Sequence, residues 1–132
     1  MSPCISPPWG YLAATDLESG RLLWSRPLGT GYDTGPLGMS TRLRVPIGTP
    51  NIGGAVVTAS GLTFIAAAQD NYLRAYETTS GRLLWSARLP AGGQAGPMTY
   101  MHNGKQYVAI SATGHARLET AAGDSLVVYT LD

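Results

Sequence analysis

A histidine, an aspartate and a small set of amides and glycines are the residues of this chain best suited to ligand chemistry. His115 stands in Ala112-Thr113-Gly114-His115-Ala116, between two stretches of strand character. An imidazole there can hydrogen-bond a bound carboxylate or orient a substrate. The structural alternative is a loop histidine bonded to backbone. Asp70 lies in Gln69-Asp70-Asn71, a loop from which a carboxylate can reach a central site; an Asx turn that starts the next strand is the alternative. Asn51, with Gly53 and Gly54, opens another strand. Glycines let a backbone approach a flat ligand closely, and an asparagine amide bonds carbonyl or carboxylate oxygens. Gln94 opens the equivalent strand further on. For Asn51 and Gln94, turn chemistry at a strand entry is the alternative. A reaction centre with a base and a cation needs several convergent polar groups. Those present are scattered, so no catalytic residue and no metal ligand is assigned. Arg42 and Arg44 could meet an anionic group, although exposed arginines ordinarily do not. His102, beside Asn103-Gly104, reads as a turn residue.

The elements that must position these residues are announced by a repeat. Ser19-Gly20-Arg21-Leu22-Leu23-Trp24-Ser25 recurs as Ser80-Gly81-Arg82-Leu83-Leu84-Trp85-Ser86, at an offset of 61 residues. Fixed-period self-similarity of this length marks a repeat architecture. In each copy a β-rich run precedes a polar turn that closes on glycine, and a second strand carries the tryptophan. Glycine at that point tolerates the positive φ of a tight turn. No helical periodicity appears over a useful length. Short apolar runs bounded by Gly, Pro, Ser and Asn are the all-β signal.

One full unit is legible between the tryptophans. Strands are expected at 55–58, 62–68, 72–77 and 82–89, a four-stranded antiparallel meander the size of one propeller blade. A further unit starts with strands at 97–100, 105–112 and 125–130, with a turn at 102–104. The expected organisation is therefore the end of one blade at 9–28, an inter-blade excursion at 29–53, a complete blade at 54–90 and three strands of a last blade at 95–132. The excursion is rich in Gly, Pro and Thr, and long connections of this kind are often functional.

A closed propeller needs at least about four blades, and isolated repeats cannot bury their faces alone. The 132 residues therefore read as the C-terminal piece of a larger protein. A module that oligomerises to complete a ring is the less favoured alternative. The formal net charge is +1, with no basic run, so nucleic-acid binding has no electrostatic footprint. No stretch approaches the roughly 20 apolar residues of a membrane-spanning helix, and no signal peptide follows Met1. An export signal or anchor is expected upstream. The lone Cys4 has neither a disulfide partner nor metal-ligand spacing.

The repeated phrase resembles the tryptophan-docking motif of quinoprotein dehydrogenases. Ala14-Thr15-Asp16-Leu17-Glu18-Ser19-Gly20-Arg21-Leu22-Leu23-Trp24 fits it fully; the second copy keeps Ala75 and Trp85 but has Glu77 in place of Asp16. In that motif each tryptophan packs between neighbouring blades. Pro7-Pro8-Trp9-Gly10, Asp33-Thr34-Gly35-Pro36-Leu37-Gly38, Asp70-Asn71-Tyr72-Leu73-Arg74-Ala75 and Leu89-Pro90-Ala91-Gly92-Gly93-Gln94-Ala95 are similar to segments of the membrane-bound quinoprotein glucose dehydrogenase family. The similarity runs from about Cys4 to Asp132, and quinate and shikimate dehydrogenases share the branch. It implies about two and a half blades of an eight-bladed β-propeller.

The resemblance also implies pyrroloquinoline quinone as cofactor, with a calcium or magnesium ion held outside this chain. It implies a sugar substrate, glucose oxidised at C1 to the lactone, and ubiquinone as electron acceptor. The location implied is the periplasmic face of the inner membrane, with a membrane anchor in an N-terminal region absent here. The family's catalytic aspartate and most metal ligands belong to earlier blades, so this chain alone is expected to be inactive. The family carries Gly-Gly-His-Gly where this chain has Thr113-Gly114-His115-Ala116, near quinone and sugar, and an aspartate near the cofactor pocket at Asp70. Rival readings are a quinate, shikimate or polyol dehydrogenase, and a non-enzymatic propeller scaffold of the outer-membrane assembly lipoprotein type.

Overall fold

A computed structural model describes residues 4–34 and 39–130. Positions 35–38 of the excursion and the last two residues of the final blade lie outside the described residues. The strands are β1 (Tyr11–Thr15), β2 (Leu22–Pro27), β3 (Ala55–Val57), β4 (Leu62–Ile65), β5 (Tyr72–Glu77), β6 (Leu83–Arg88), β7 (Met98–His102), β8 (Lys105–Ala112) and β9 (Ser125–Thr130). They form three antiparallel sheets, β1-β2, β3-β4-β5-β6 and β7-β8-β9. These are partial, complete and partial blades of a propeller. No helix among the described residues is long and apolar enough to cross a membrane.

The two copies of the repeat fold alike. In the first, Asp16 N–H donates to the Arg21 carbonyl and Gly20 N–H to the Asp16 carbonyl. In the second, Glu77 N–H donates to Arg82 and Gly81 N–H to Glu77. The two acids serve the turn differently. The Asp16 carboxylate accepts from the backbone N–H groups of Glu18 and Ser19 at 2.8 and 3.1 Å, which holds its pKa below the usual carboxylate value. The longer Glu77 accepts instead from the Ser80 hydroxyl.

Trp24 docks across the blade boundary. Its indole N–H donates to the Thr78 carbonyl at 2.9 Å, and its ring covers Gly81 so closely that a Cβ there would lie 2.5 Å from Cδ2. Gly81 is thus required twice, by its φ of 67° and by the ring on its face. Trp85 meets Tyr129 of the next sheet edge to face at 5.0 Å. The core follows the same boundaries. Leu28, Ile65, Ala67, Ala68 and Tyr76 fill the first, with Leu12 packed against them. Ala66, Leu73, Leu89, Ala91, Val108, Ile110 and Ala112 fill the second. The small residues at 66–68 let the sheets approach.

Several boundaries differ from the sequence expectation. The strand expected at 62–68 ends at Ile65, and only an isolated bridge between Asn51 and Ala68 extends the pairing. Thr58 leaves β3 because its hydroxyl and backbone close the next turn with Leu62. His102 is the last residue of β7, paired with Lys105, rather than a turn residue. Asn103 (φ 48°) and Gly104 (φ 74°) form the two-residue turn unaided, the positive-φ pair a right-twisted hairpin favours. A 3-10 turn at Ala116–Leu118 follows His115.

Candidate functional site

The meander brings the candidate residues to one end of the sheets. The start of β3, the end of β4, the start of β5 and the end of β6 lie side by side, as the pairs Ala55–Ile65, Ile65–Arg74 and Tyr72–Arg88 show. In the last sheet the pairs Met98–Ala109 and Ala112–Ser125 mark the matching end. Asn51, Gly53, Gly54, Asp70, Gln94 and His115 all stand on the connections at that end. Backbone bonds tie these connections together, from Gly92 N–H to Ala121 and from Gly114 N–H to Gly92.

Gln94 and His115 share one network. Gln94 is buried. Its amide nitrogen donates to the Ala68 carbonyl at 3.0 Å, and its amide oxygen accepts from the Thr120 hydroxyl at 2.9 Å. That hydroxyl in turn accepts the His115 backbone N–H at 2.8 Å. Gln69 Nε2 pins the same loop through the Leu118 carbonyl at 2.8 Å. The His115 ring is half-buried, and its Nδ1 is buried with no hydrogen-bond partner. A buried ring nitrogen without a partner costs free energy in the folded chain.

Asp70 takes a different role. It is fully buried, and both carboxylate oxygens are engaged. Oδ1 accepts from Arg74 Nη1 at 2.9 Å. Oδ2 accepts from Arg74 Nη2 and, at 2.7 Å each, from the Thr30 N–H and hydroxyl. The carboxylate therefore welds the start of the excursion to β5. Gly53 likewise serves a contact within the chain: a Cβ there would lie 2.7 Å from the Gln94 carbonyl oxygen. The face of Gly54 is open, with nothing nearer than 4.0 Å to a built Cβ. The Asn51 side-chain nitrogen donates to the Thr49 carbonyl at 3.3 Å, and its Oδ1 has no partner among the described residues.

The sequence reading did not single out Arg74, Thr30 or Thr120. Arg74 carries a signal in hindsight, a charge inside the apolar run Tyr72-Leu73-Arg74-Ala75-Tyr76, where a buried partner is obligatory. Thr30 and Thr120 lie 40 and 26 residues from the groups they bind, and no local pattern reports such a pairing.

Residues 1–108 match the glucose/ethanol/alcohol dehydrogenase β-propeller domain of the pyrroloquinoline quinone (PQQ) group. The chain belongs to the PQQ dehydrogenase propeller family. Within that family it is 54% identical over 129 residues to the glycerol dehydrogenase large subunit of Gluconobacter oxydans, covering 97% of this chain and 17% of that protein. It is 50% identical over 129 residues to quinoprotein glucose dehydrogenase A of Acinetobacter calcoaceticus, covering 98% of this chain and 16% of that protein. It is 48% identical over 132 residues to the quinate/shikimate dehydrogenase (quinone) of Acinetobacter baylyi, again over 98% and 16%. The chain thus spans about a sixth of the length of these relatives. The quinohemoprotein alcohol dehydrogenase of Comamonas testosteroni shares the fold with a TM-score of 0.63, at 23% identity over 91% of this chain and 16% of that one.

PQQ is the cofactor the PQQ dehydrogenase family implies, and this chain offers part of a surface for it. The unpartnered His115 Nδ1, the second amide N–H of Asn51, beyond the one given to Thr49, and the open face of Gly54 suit a planar anionic quinone. Asp70 and Gln94 have spent their polar atoms on the chain itself. No group of three or more His, Cys, Asp or Glu side chains able to hold a metal ion occurs among the described residues.

Proposed function

We propose that this chain forms part of a PQQ-dependent dehydrogenase that oxidises an aldose, glucose to gluconolactone, and passes the electrons to ubiquinone at the periplasmic face of the inner membrane. The observation that carries the reading is the His115 loop. It belongs to a PQQ-family propeller, is held by its own Thr120, which is tied to Gln94 before β7, and keeps a ring nitrogen without a partner.

In this reading His115 and Asn51 contact the cofactor, and Gly54 lets the backbone lie close to it, while Gly53 admits the Gln94 carbonyl. Gln94 and Asp70 hold the connections in place. When bound, PQQ supplies the hydride acceptor. The base and the calcium or magnesium ligands are supplied by parts of the longer protein, so this chain by itself is inactive.

A second reading rests on the relatives. The glycerol and quinate/shikimate dehydrogenases match this chain about as well as the glucose enzymes do. A polyol or quinate substrate is therefore the alternative. Dye reduction by the full-length protein, loaded with PQQ and calcium or magnesium, separates the two. Reduction with glucose supports the first reading. Reduction with glycerol or quinate alone moves the assignment to the second. No reduction with any of them leaves a non-enzymatic propeller scaffold.

A further inference from the structure

A second polar feature lies at the boundary between the first two sheets. A cleft of about 450 Å³ opens there, lined by Arg26 of β2, Arg44 of the excursion, Tyr72, Arg74 and Tyr76 of β5, and Ser86 of β6. The volume is within the range of small-molecule sites, about 300–1,000 Å³.

The charges in this cleft are not balanced from within. Arg74 is neutralised by Asp70, and the adjacent Arg88 by Asp33 through bonds of 2.6 and 3.0 Å. Arg44 has no carboxylate partner among the described residues. Its guanidinium carbon lies 5.2 Å from the Tyr72 ring centroid, and those of Arg74 and Arg88 lie 5.5 Å from the same centroid. Arg26 makes one long bond, 3.3 Å, to the Ser80 carbonyl. Two guanidinium groups of the cleft, Arg26 and Arg44, thus remain without a counter-charge among the described residues. The Tyr76 and Ser86 hydroxyls, also on the cleft, have no hydrogen-bond partner among the described residues.

The repeat shows that this chemistry does not follow from the fold. In copies that share Ser-Gly-Arg-Leu-Leu-Trp-Ser unchanged, the cleft positions diverge. Arg74 and Tyr76 stand where the first copy has Ala13 and Thr15, and Arg26 stands where the second has Ala87. The next inter-sheet cleft is apolar, lined by Phe64, Leu84, Trp85, Val108 and Tyr129 among others.

We propose that the cleft between the first two sheets binds a small organic phosphate monoester. Two unneutralised arginines match a dianion, and guanidinium forks bind phosphate oxygens in pairs. A phosphate monoester carries about −1.5 to −2 charges and three acceptor oxygens, enough for Arg26, Arg44 and the Tyr76 and Ser86 hydroxyls. The rest of the ligand lies against the apolar part of the cleft wall, Pro27, Pro46 and Leu83. This site uses none of His115, Asn51 or Gln94 and stands whether or not PQQ binds.

Calorimetric titration of the full chain with glycerol 3-phosphate tests the site, beside sedimentation with phosphatidic acid and phosphatidylcholine vesicles. Saturable binding of the free ester is expected. Arg26→Gln and Arg44→Gln should each weaken it at least tenfold and Ser86→Ala about threefold, whereas Arg21→Gln, on an exposed turn elsewhere, should leave it unchanged. These side chains are exposed, so the variants should keep the far-ultraviolet spectrum of the parent. Binding only to phosphatidic acid vesicles, lost in the same variants, supports the site and names a lipid headgroup as its source. Absence of saturable binding to both probes, or equal weakening by Arg21→Gln, overturns the proposal.

Discussion

At the scale of single residues, the Asp70 carboxylate is the most heavily engaged group in the chain, and its removal should be costly. Asp70→Asn leaves the Arg74 guanidinium buried without its counter-charge. Breaking a buried pair on one side costs about 3–5 kcal/mol, to be read as a lowered urea midpoint. Thr30→Val removes one neutral partner of the same carboxylate and should cost only about 1–2 kcal/mol. Tyr76 offers a pH test in the same region. Burial pushes its phenol above the usual value of 10.0, with the Arg74 charge opposing. The folded chain therefore holds this proton more tightly than the unfolded chain. The stability it contributes is intact below pH 10 and is lost as pH rises through the folded-state value. Tyr76→Phe should flatten the alkaline limb of a stability–pH curve, and phenolate absorbance should show one fewer late-titrating tyrosine.

At the scale of elements, the two turns of the repeat provide an internal control. Gly20 and Gly81 have the same conformation, φ 68° and 67°, but only Gly81 lies under a tryptophan ring. Gly20→Ala should cost only the left-handed backbone term, about 1–2 kcal/mol. Gly81→Ala adds a collision with Trp24 and should cost more than its counterpart in matched urea titrations. Equal losses would show that Trp24 contributes nothing to holding the blades together. The comparison also explains why the phrase is kept in both copies. The glycine closes its own hairpin, and in the second copy it also receives the tryptophan of the preceding blade.

At the scale of the whole molecule, the sheets meet through two narrow cores and through polar struts at one end. Gln94 is one of these, joining Ala68 at the end of the second sheet to Thr120 in the last. Gln94→Leu should leave the Ala68 carbonyl and the Thr120 hydroxyl without their partners. It should weaken PQQ binding by the full-length protein at least as much as His115→Ala does, measured by quenching of tryptophan fluorescence. A His115→Ala variant that binds PQQ as the parent does would remove His115 from the cofactor site, whatever the substrate proves to be.

The sequence by itself determined the all-β class, the repeat, the hairpin turns and the family resemblance. Each of these is written in residues close together along the chain or in a long verbatim recurrence. Alternation, glycine placement and the phrase ending in Trp24 and Trp85 require no knowledge of distant partners. What Asp70 and Gln94 do was decided only by tertiary structure. Each has a side chain able to serve a ligand, and each instead meets groups of the chain that take up its polar atoms, Asp70 both Arg74 and the distant Thr30, Gln94 groups 26 residues away on either side. The reverse holds for His115 and Arg44. The sequence marks His115 as a candidate and Arg44 as an ordinary arginine, but only folding leaves one with a buried nitrogen without a partner and the other beside two further guanidinium groups. Whether a polar group is spent or available depends on the desolvation and the partners it meets on folding, which residue type and local spacing do not encode.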